Sequence, residues 1–182
     1  MLDPHEARQQ ETRLAGIFLH AAGRAFVHLH VLGGPEVDAL SAGVDPMGFY
    51  PYAKFAALLA AVEKRFRDMD PVLEQLGVQM MKDWYELGPG QSLVASGAAF
   101  LRFQTGSEGY RSVVQGPESA VGGFALTAID ETAGTACVRS STPFPRAMER
   151  GVLLGGMQAP GDLAYVRVTN AEDADVFDVV FR

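Results

Sequence analysis

The chain has 182 residues, 48% of them hydrophobic and 20% charged, which excludes the disordered and fibrous classes and suits a single domain. Fifteen Lys and Arg against twenty-two Asp and Glu leave a formal charge of −7, a balance that disfavours phosphate-driven nucleic-acid binding and attachment to anionic membranes. The one cysteine, Cys137, makes neither an internal disulfide nor a multi-cysteine zinc site.

The first twelve residues carry Asp3, Glu6 and Glu11 and no apolar core, unlike a secretory signal. The greasy stretch 14–33 is interrupted by His20, Arg24, His28 and His30, so burial in a globule is expected rather than a membrane span. A cytoplasmic protein is the expectation. Within that stretch Val27, Leu29 and Val31 alternate with His28 and His30 as in a strand, while the run from Leu14 also tolerates a helix. After Tyr50-Pro51-Tyr52, the stripe Phe55, Leu58, Leu59, Val62 and Phe66 predicts an amphipathic helix. Pro71 opens a second helix, with Asp70 placed to cap it. Its stripe is Leu73, Leu76, Met80, Met81, Trp84 and Leu87, and Gly88-Pro89-Gly90 ends it. Ser92 is the expected cap of a third helix through Phe100, Leu101 and Phe103.

Near Gly116-Pro117 the rhythm changes from helical to alternating. Phe124, Leu126 and Ala128 lead into a turn at 130–134, and Ala136, Val138 and Ser140 lead back. Pro145 starts a helix with Met148, Val152 and Leu153 on its buried side. Strands over 163–168 and 176–181 make a second hairpin. The predicted fold is α+β: an N-terminal helical layer packed on a four-stranded antiparallel sheet. We read 1–182 as one domain, with 1–13 a candidate flexible lead, 14–115 mainly helical and 116–182 a ββαββ half.

Several residue groups invite a chemical reading. His28 and His30 on a strand would share one face and permit a metal, but half-exposed polar positions alternating with core describe them better, and no metal is assigned. Asn170, Glu172, Asp173 and Asp175 form an oxygen-rich loop without the order of a calcium loop, so a solvated hairpin is expected. Arg139, Arg146 and Arg150 surround a predicted helix start, which suits an anion; the competing reading is an exposed face or pairing with acids such as Glu149 across a dimer. Gly151, Gly155 and Gly156 imply close packing of helix on sheet and a helix end at the glycine pair. No nucleophile motif or dinucleotide fingerprint is present. Cys137 is expected to be a buried, inert thiol, and Asp130 and Glu131 to be solvated turn residues.

The order of a greasy opening, Gly48-Phe49-Tyr50-Pro51-Tyr52 into an amphipathic helix, an Asp-Pro helix and then hairpin–helix–hairpin resembles a superfamily of bacterial ligand-binding domains. It includes 4-vinyl reductase domains, haem-NO-binding domains and a myxobacterial family of uncharacterised paralogues, with the TRAPP tethering subunits sharing the fold. The local likeness is nearest the myxobacterial group, through residues 48–52. The resemblance implies a sensory or regulatory domain, often dimeric, with an apolar pocket between helices and sheet. It makes Met80, Met81, Trp84, Tyr85, Phe100, Phe103, Tyr110 and Phe144 the candidate pocket wall, with plain core as the competing reading.

In the haem-binding branch the resemblance implies a helix histidine and a Tyr-x-Ser-x-Arg clamp. This chain has no histidine after His30 and reads Val138-Arg139-Ser140-Ser141-Thr142 at the clamp, so no cofactor is expected. The expected function is a non-enzymatic module, acting as a homodimer, that takes a small apolar ligand. A dimeric interaction scaffold without ligand is the alternative, and a tetrapyrrole-related reductase or haem binder ranks below both.

Overall fold

In the computed structural model, which describes residues 4–182, the chain begins α1 (Pro4–Glu11), β1 (Arg13–Ala15), α2 (Gly16–His28), α3 (Gly34–Leu40), β2 (Phe49–Pro51), α4 (Ala53–Glu63) and α5 (Asp70–Leu87). It continues through α6 (Gly90–Leu93), α7 (Gly97–Thr105), α8 (Tyr110–Val113), β3 (Val114–Gln115) and α9 (Glu118–Val121). It closes with β4 (Phe124–Asp130), β5 (Thr135–Ser140), α10 (Arg146–Gln158), β6 (Val166–Asn170) and β7 (Val176–Phe181). Residues 1–3 of the expected lead lie outside the described residues. The class is α+β, and no described helix is long and apolar enough to cross a membrane.

The last four strands form an antiparallel sheet in the order β4-β5-β7-β6, with α10 as the crossing helix. Register puts Ala136 opposite Val179 and Val138 opposite Phe177, and all four side chains are buried on the inner face. The same alternation turns Cys137 to the opposite face, across from Asp178. The thiol is therefore half-buried, not buried as expected. The β4–β5 turn needs Gly134, whose φ is +67°; a Cβ there would come within 2.0 Å of the Phe181 carbonyl oxygen.

Glycine also sets how closely α5 and α10 approach. A Cβ on Gly151 would meet the Glu74 carbonyl at 2.0 Å, and one on Gly155 the Val78 Cα at 2.6 Å. From the other side, a Cβ on Gly77 would meet the Met148 carbonyl at 2.3 Å. The glycine stripe thus packs helix on helix, and Gly156 clears room for the Phe100 ring, which its Cβ would meet at 2.0 Å. The expected helix end at the glycine pair is corrected: α10 continues to Gln158.

Other boundaries moved for local reasons. The ambiguous opening stretch is helix α2, because Leu19, Ala22 and Phe26 fall on one buried stripe at helical spacing. His28 ends that helix and His30 has φ 57°, so the two imidazoles do not share a strand face. Phe66 lies beyond the end of α4. The helix α5 is entered with Asp68, not Asp70, accepting a backbone N–H, that of Asp70, at 3.1 Å. Ser92 falls in α6 and donates to the Pro89 carbonyl at 2.7 Å; the cap of α7 is Ser96, whose Oγ accepts from the Ala99 N–H at 3.1 Å. A small sheet in the order β2-β1-β3 was not foreseen; its strands are two or three residues long, too short for alternation to register.

Two apolar clusters result. One joins α2, α4 and α5 with Phe144, Ala147 and Met148. The other joins the inner sheet face with Phe100, Val152, Leu153 and Met157. Helix α10 contributes to both and forms the seam between them.

Candidate functional site

Along that seam lies a cavity of about 350 Å³. Helix α2 lends it Ile17, Phe18 and Ala21; α5 lends Met80, Met81 and Trp84; α7 lends Phe100, Phe103 and Gln104; α10 lends Met148, Glu149 and Val152. Tyr110, Phe124 and Phe144 complete much of the wall. Of the residues proposed from the sequence, Met80, Met81, Trp84, Phe100, Phe103, Tyr110 and Phe144 line this one space, and Tyr85 does not. The expectation of a space between helices and sheet needs correcting. Residues of α7 and α10 pack on the inner sheet face, so they stand between sheet and cavity, and Phe124 is the sheet's contribution to the lining.

The wall is built from rings set at angles. Phe144 lies 5.3 Å from Phe18, 5.5 Å from Tyr52 and 6.1 Å from Tyr110, centroid to centroid. Trp84 stacks on Phe103 at 5.3 Å with 27° between planes. Contacts of this kind are worth about 0.5–1.5 kcal/mol each beyond burial. They hold the rings in place around the space. At the mouth Ile17 and Leu93, 55% and 49% exposed, put apolar surface in contact with water.

One polar side chain in the wall is fully engaged. Glu149 is 2% exposed, and its Oε1 accepts from the Ser140 hydroxyl at 2.6 Å and from the Thr142 hydroxyl. Its Oε2 accepts from Arg146 Nη1 at 2.6 Å. Burial pushes the carboxyl above its ordinary range, opposed by Arg146 and the two hydroxyls. Arg146 also donates Nε to Asp175 at 2.8 Å, so its fork is shared by two acids of the chain.

Another is not engaged. Gln104, 9% exposed, is one of six buried polar or charged side chains among the described residues. Thr12, Asp83, Ser140, Thr142 and Glu149 all have partners. The Gln104 amide makes no side-chain hydrogen bond to any described residue. A second orphan is the Tyr52 hydroxyl, buried with no partner among the described residues. Tyr52 is packed edge-on against Phe55 at 5.7 Å. Desolvation, with a smaller contribution from Glu149, pushes its hydroxyl well above the ordinary phenol range.

The remaining candidates are engaged elsewhere. Arg139 pairs with Asp173 at 2.9 Å, and Arg150 with Glu74 at 2.6 Å and the Asn170 side-chain carbonyl at 2.7 Å. With Arg146 on Glu149 and Asp175, the three arginines all meet groups of the same chain. Both carboxylate oxygens of Asp173 and Oδ1 of Asp175 are engaged in those pairs and in a backbone turn. Asp130 accepts from the backbone of Thr132 and Ala133, and Glu131 pairs with Arg102. No cluster of three or more His, Cys, Asp or Glu suited to a metal exists among the described residues. His28 hydrogen-bonds the Gln79 amide at 3.2 Å instead.

Sequence reasoning placed much of the cavity's aromatic and methionine wall but not Phe18, Phe124, Met148, Glu149 or Gln104. Glu149 had a legible signal: it falls between Met148 and Val152 on the buried side of α10. Gln104 had one as well, four residues after Phe100 on the same helix face.

No protein-family model matches this sequence, and no curated protein matches it. Among solved structures, a point variant of Tt H-NOX superposes with a TM-score of 0.65, covering 93% of this chain and 95% of that one at 13% identity. The fold is therefore H-NOX-like. The haem group of the haem-NO-binding branch does not fit the residues present. The cavity-lining residues include no histidine or cysteine. At the clamp position Ser140 and Thr142 serve the internal carboxylate of Glu149, and Arg146 is already paired with it. A propionate would face an acid already occupying its donors.

Proposed function

We propose that this chain is a non-enzymatic sensory or regulatory domain that takes a small apolar molecule into the cavity between α2, α5, α7 and α10. The observation carrying this reading is the cavity itself: about 350 Å³, within the usual range of ligand sites and walled by aromatic and methionine side chains. Its apolar mouth at Ile17 and Leu93 supports entry from water. The resemblance to ligand-binding domains points the same way. The competing reading, a dimeric scaffold without ligand, expects no space larger than packing defects leave, so the cavity favours the first.

Native mass spectrometry of the purified chain tests the proposal. The expected result is a mass excess that disappears on denaturation and is missing in Ala21→Trp, which fills the cavity. Equal native and denatured masses would overturn it.

A further inference from the structure

The two buried polar groups of the wall place opposite demands on an occupant. Glu149 has its oxygens engaged by Ser140, Thr142 and Arg146 and offers little to a ligand. The charged residues that line the cavity, Glu108 and Glu149, are both acidic, and Arg146 is bound to Glu149 and Asp175. A ligand carboxylate brought here would be buried beside acids with no cation of its own, an arrangement strongly disfavoured in an apolar space. Gln104 is the reverse case. The residue is nine-tenths buried and lines the cavity, and its amide has no hydrogen-bond partner among the described residues. It presents one donor edge and one acceptor edge, and a neutral carboxamide meets both at once.

We propose that the cavity selects neutral, mainly aromatic molecules bearing one carboxamide- or lactam-type edge, which pairs with the side-chain amide of Gln104, and that it rejects carboxylates. This rests on the reading that the cavity takes a small apolar molecule. The volume, near the lower end of the usual range, limits the body to a small one, such as two fused rings. The stacked pair Trp84 and Phe103 supplies flat surface for it beside Gln104 on α7. Sites built to satisfy a hydrogen-bonding group discriminate against analogues that lack it, because the buried partner is then left unpaired.

The test uses the full chain and three probes of matched shape, naphthalene, naphthamide and naphthoate, with affinities from ligand-observed NMR. Naphthamide is expected to bind about tenfold tighter than naphthalene, the ratio one well-formed hydrogen bond supplies, and naphthoate more weakly than either. Gln104→Met is expected to abolish the amide's advantage, bringing naphthalene at least level with naphthamide because no unpaired amide is left beside it. The ranking on the unaltered chain needs no variant, so it stands even where the substitution perturbs folding. Naphthalene binding with no preference for the amide, or with naphthoate tightest, overturns the selection by Gln104 and leaves the ligand-binding reading intact. Failure of both naphthalene and naphthamide to bind overturns the two together.

Discussion

Two polar regions face one cavity, and the fold treats them differently. At the start of α10, Glu149 gathers donors from Ser140, Thr142 and Arg146, all within ten residues of it in sequence. Across the space, Gln104 and, behind the ring of Phe144, Tyr52 hold polar atoms with no partner among the described residues. The first region was assembled by chain connectivity: a strand end, a short loop and a helix start bring donors to the acid at little entropic cost. In the second, Tyr52 packs against the rings of Phe55 and Phe144, which have nothing to offer a hydroxyl. The difference separates groups the architecture satisfies internally from groups left open toward the cavity or trapped beside it.

The largest expected effect comes from dismantling the satisfied region. Arg146→Met leaves Glu149 buried without its cation and is expected to cost about 3–5 kcal/mol in urea unfolding at neutral pH. The sign with pH follows from the raised carboxyl of Glu149. Its contribution is fully favourable below the ordinary carboxylate range, where folded and unfolded chains both hold the proton. It is lost as pH rises through the higher folded value. The variant, with its carboxyl raised further, therefore loses least in acid. A loss below about 1 kcal/mol at neutral pH would mean the pair is no more than a surface contact. A smaller effect is expected at the seam: Gly155→Ala forces α10 from α5 and should cost about 1–3 kcal/mol, measured as a shift in the urea midpoint. An unchanged midpoint would mean the helices part freely.

The smallest change acts on the unsatisfied region and has the opposite sign. Tyr52→Phe removes a buried hydroxyl without a partner and should stabilise the chain by about 1 kcal/mol. Because the folded hydroxyl is raised above its ordinary value of 10.0, stability in the parent is intact below pH 10 and falls as pH rises beyond it. Tyr52→Phe should flatten that alkaline decline, leaving a remainder from Tyr110, which is raised for the same leading reason, burial. A destabilised variant would show that the hydroxyl has a partner after all.

How much of this was legible in the sequence follows the same division. The ββαββ half could be read because two-residue alternation and turn residues dictate it: residues 176–181 are strand β7 as expected, and Pro145 immediately precedes α10. The helical half was less legible where two periods fit one run, as at 27–31, and where Ser92 was read as the cap that Ser96 supplies. The wall residues proposed from the resemblance converge on one space save Tyr85, though alternation and helical stripes alone could not separate wall from core. Gln104 and Glu149 escaped because sequence pattern marks burial, not whether a buried polar group finds a partner. That depends on distances set by Gly77, Gly151 and Gly155, which bring α5 and α10 together.

Trp84, the chain's single tryptophan, belongs to the cavity wall and stacks on Phe103. The protein therefore carries a built-in optical gauge: the emission colour and intensity of one indole report whether water or an occupant lies against it, with no label and no competing tryptophan signal.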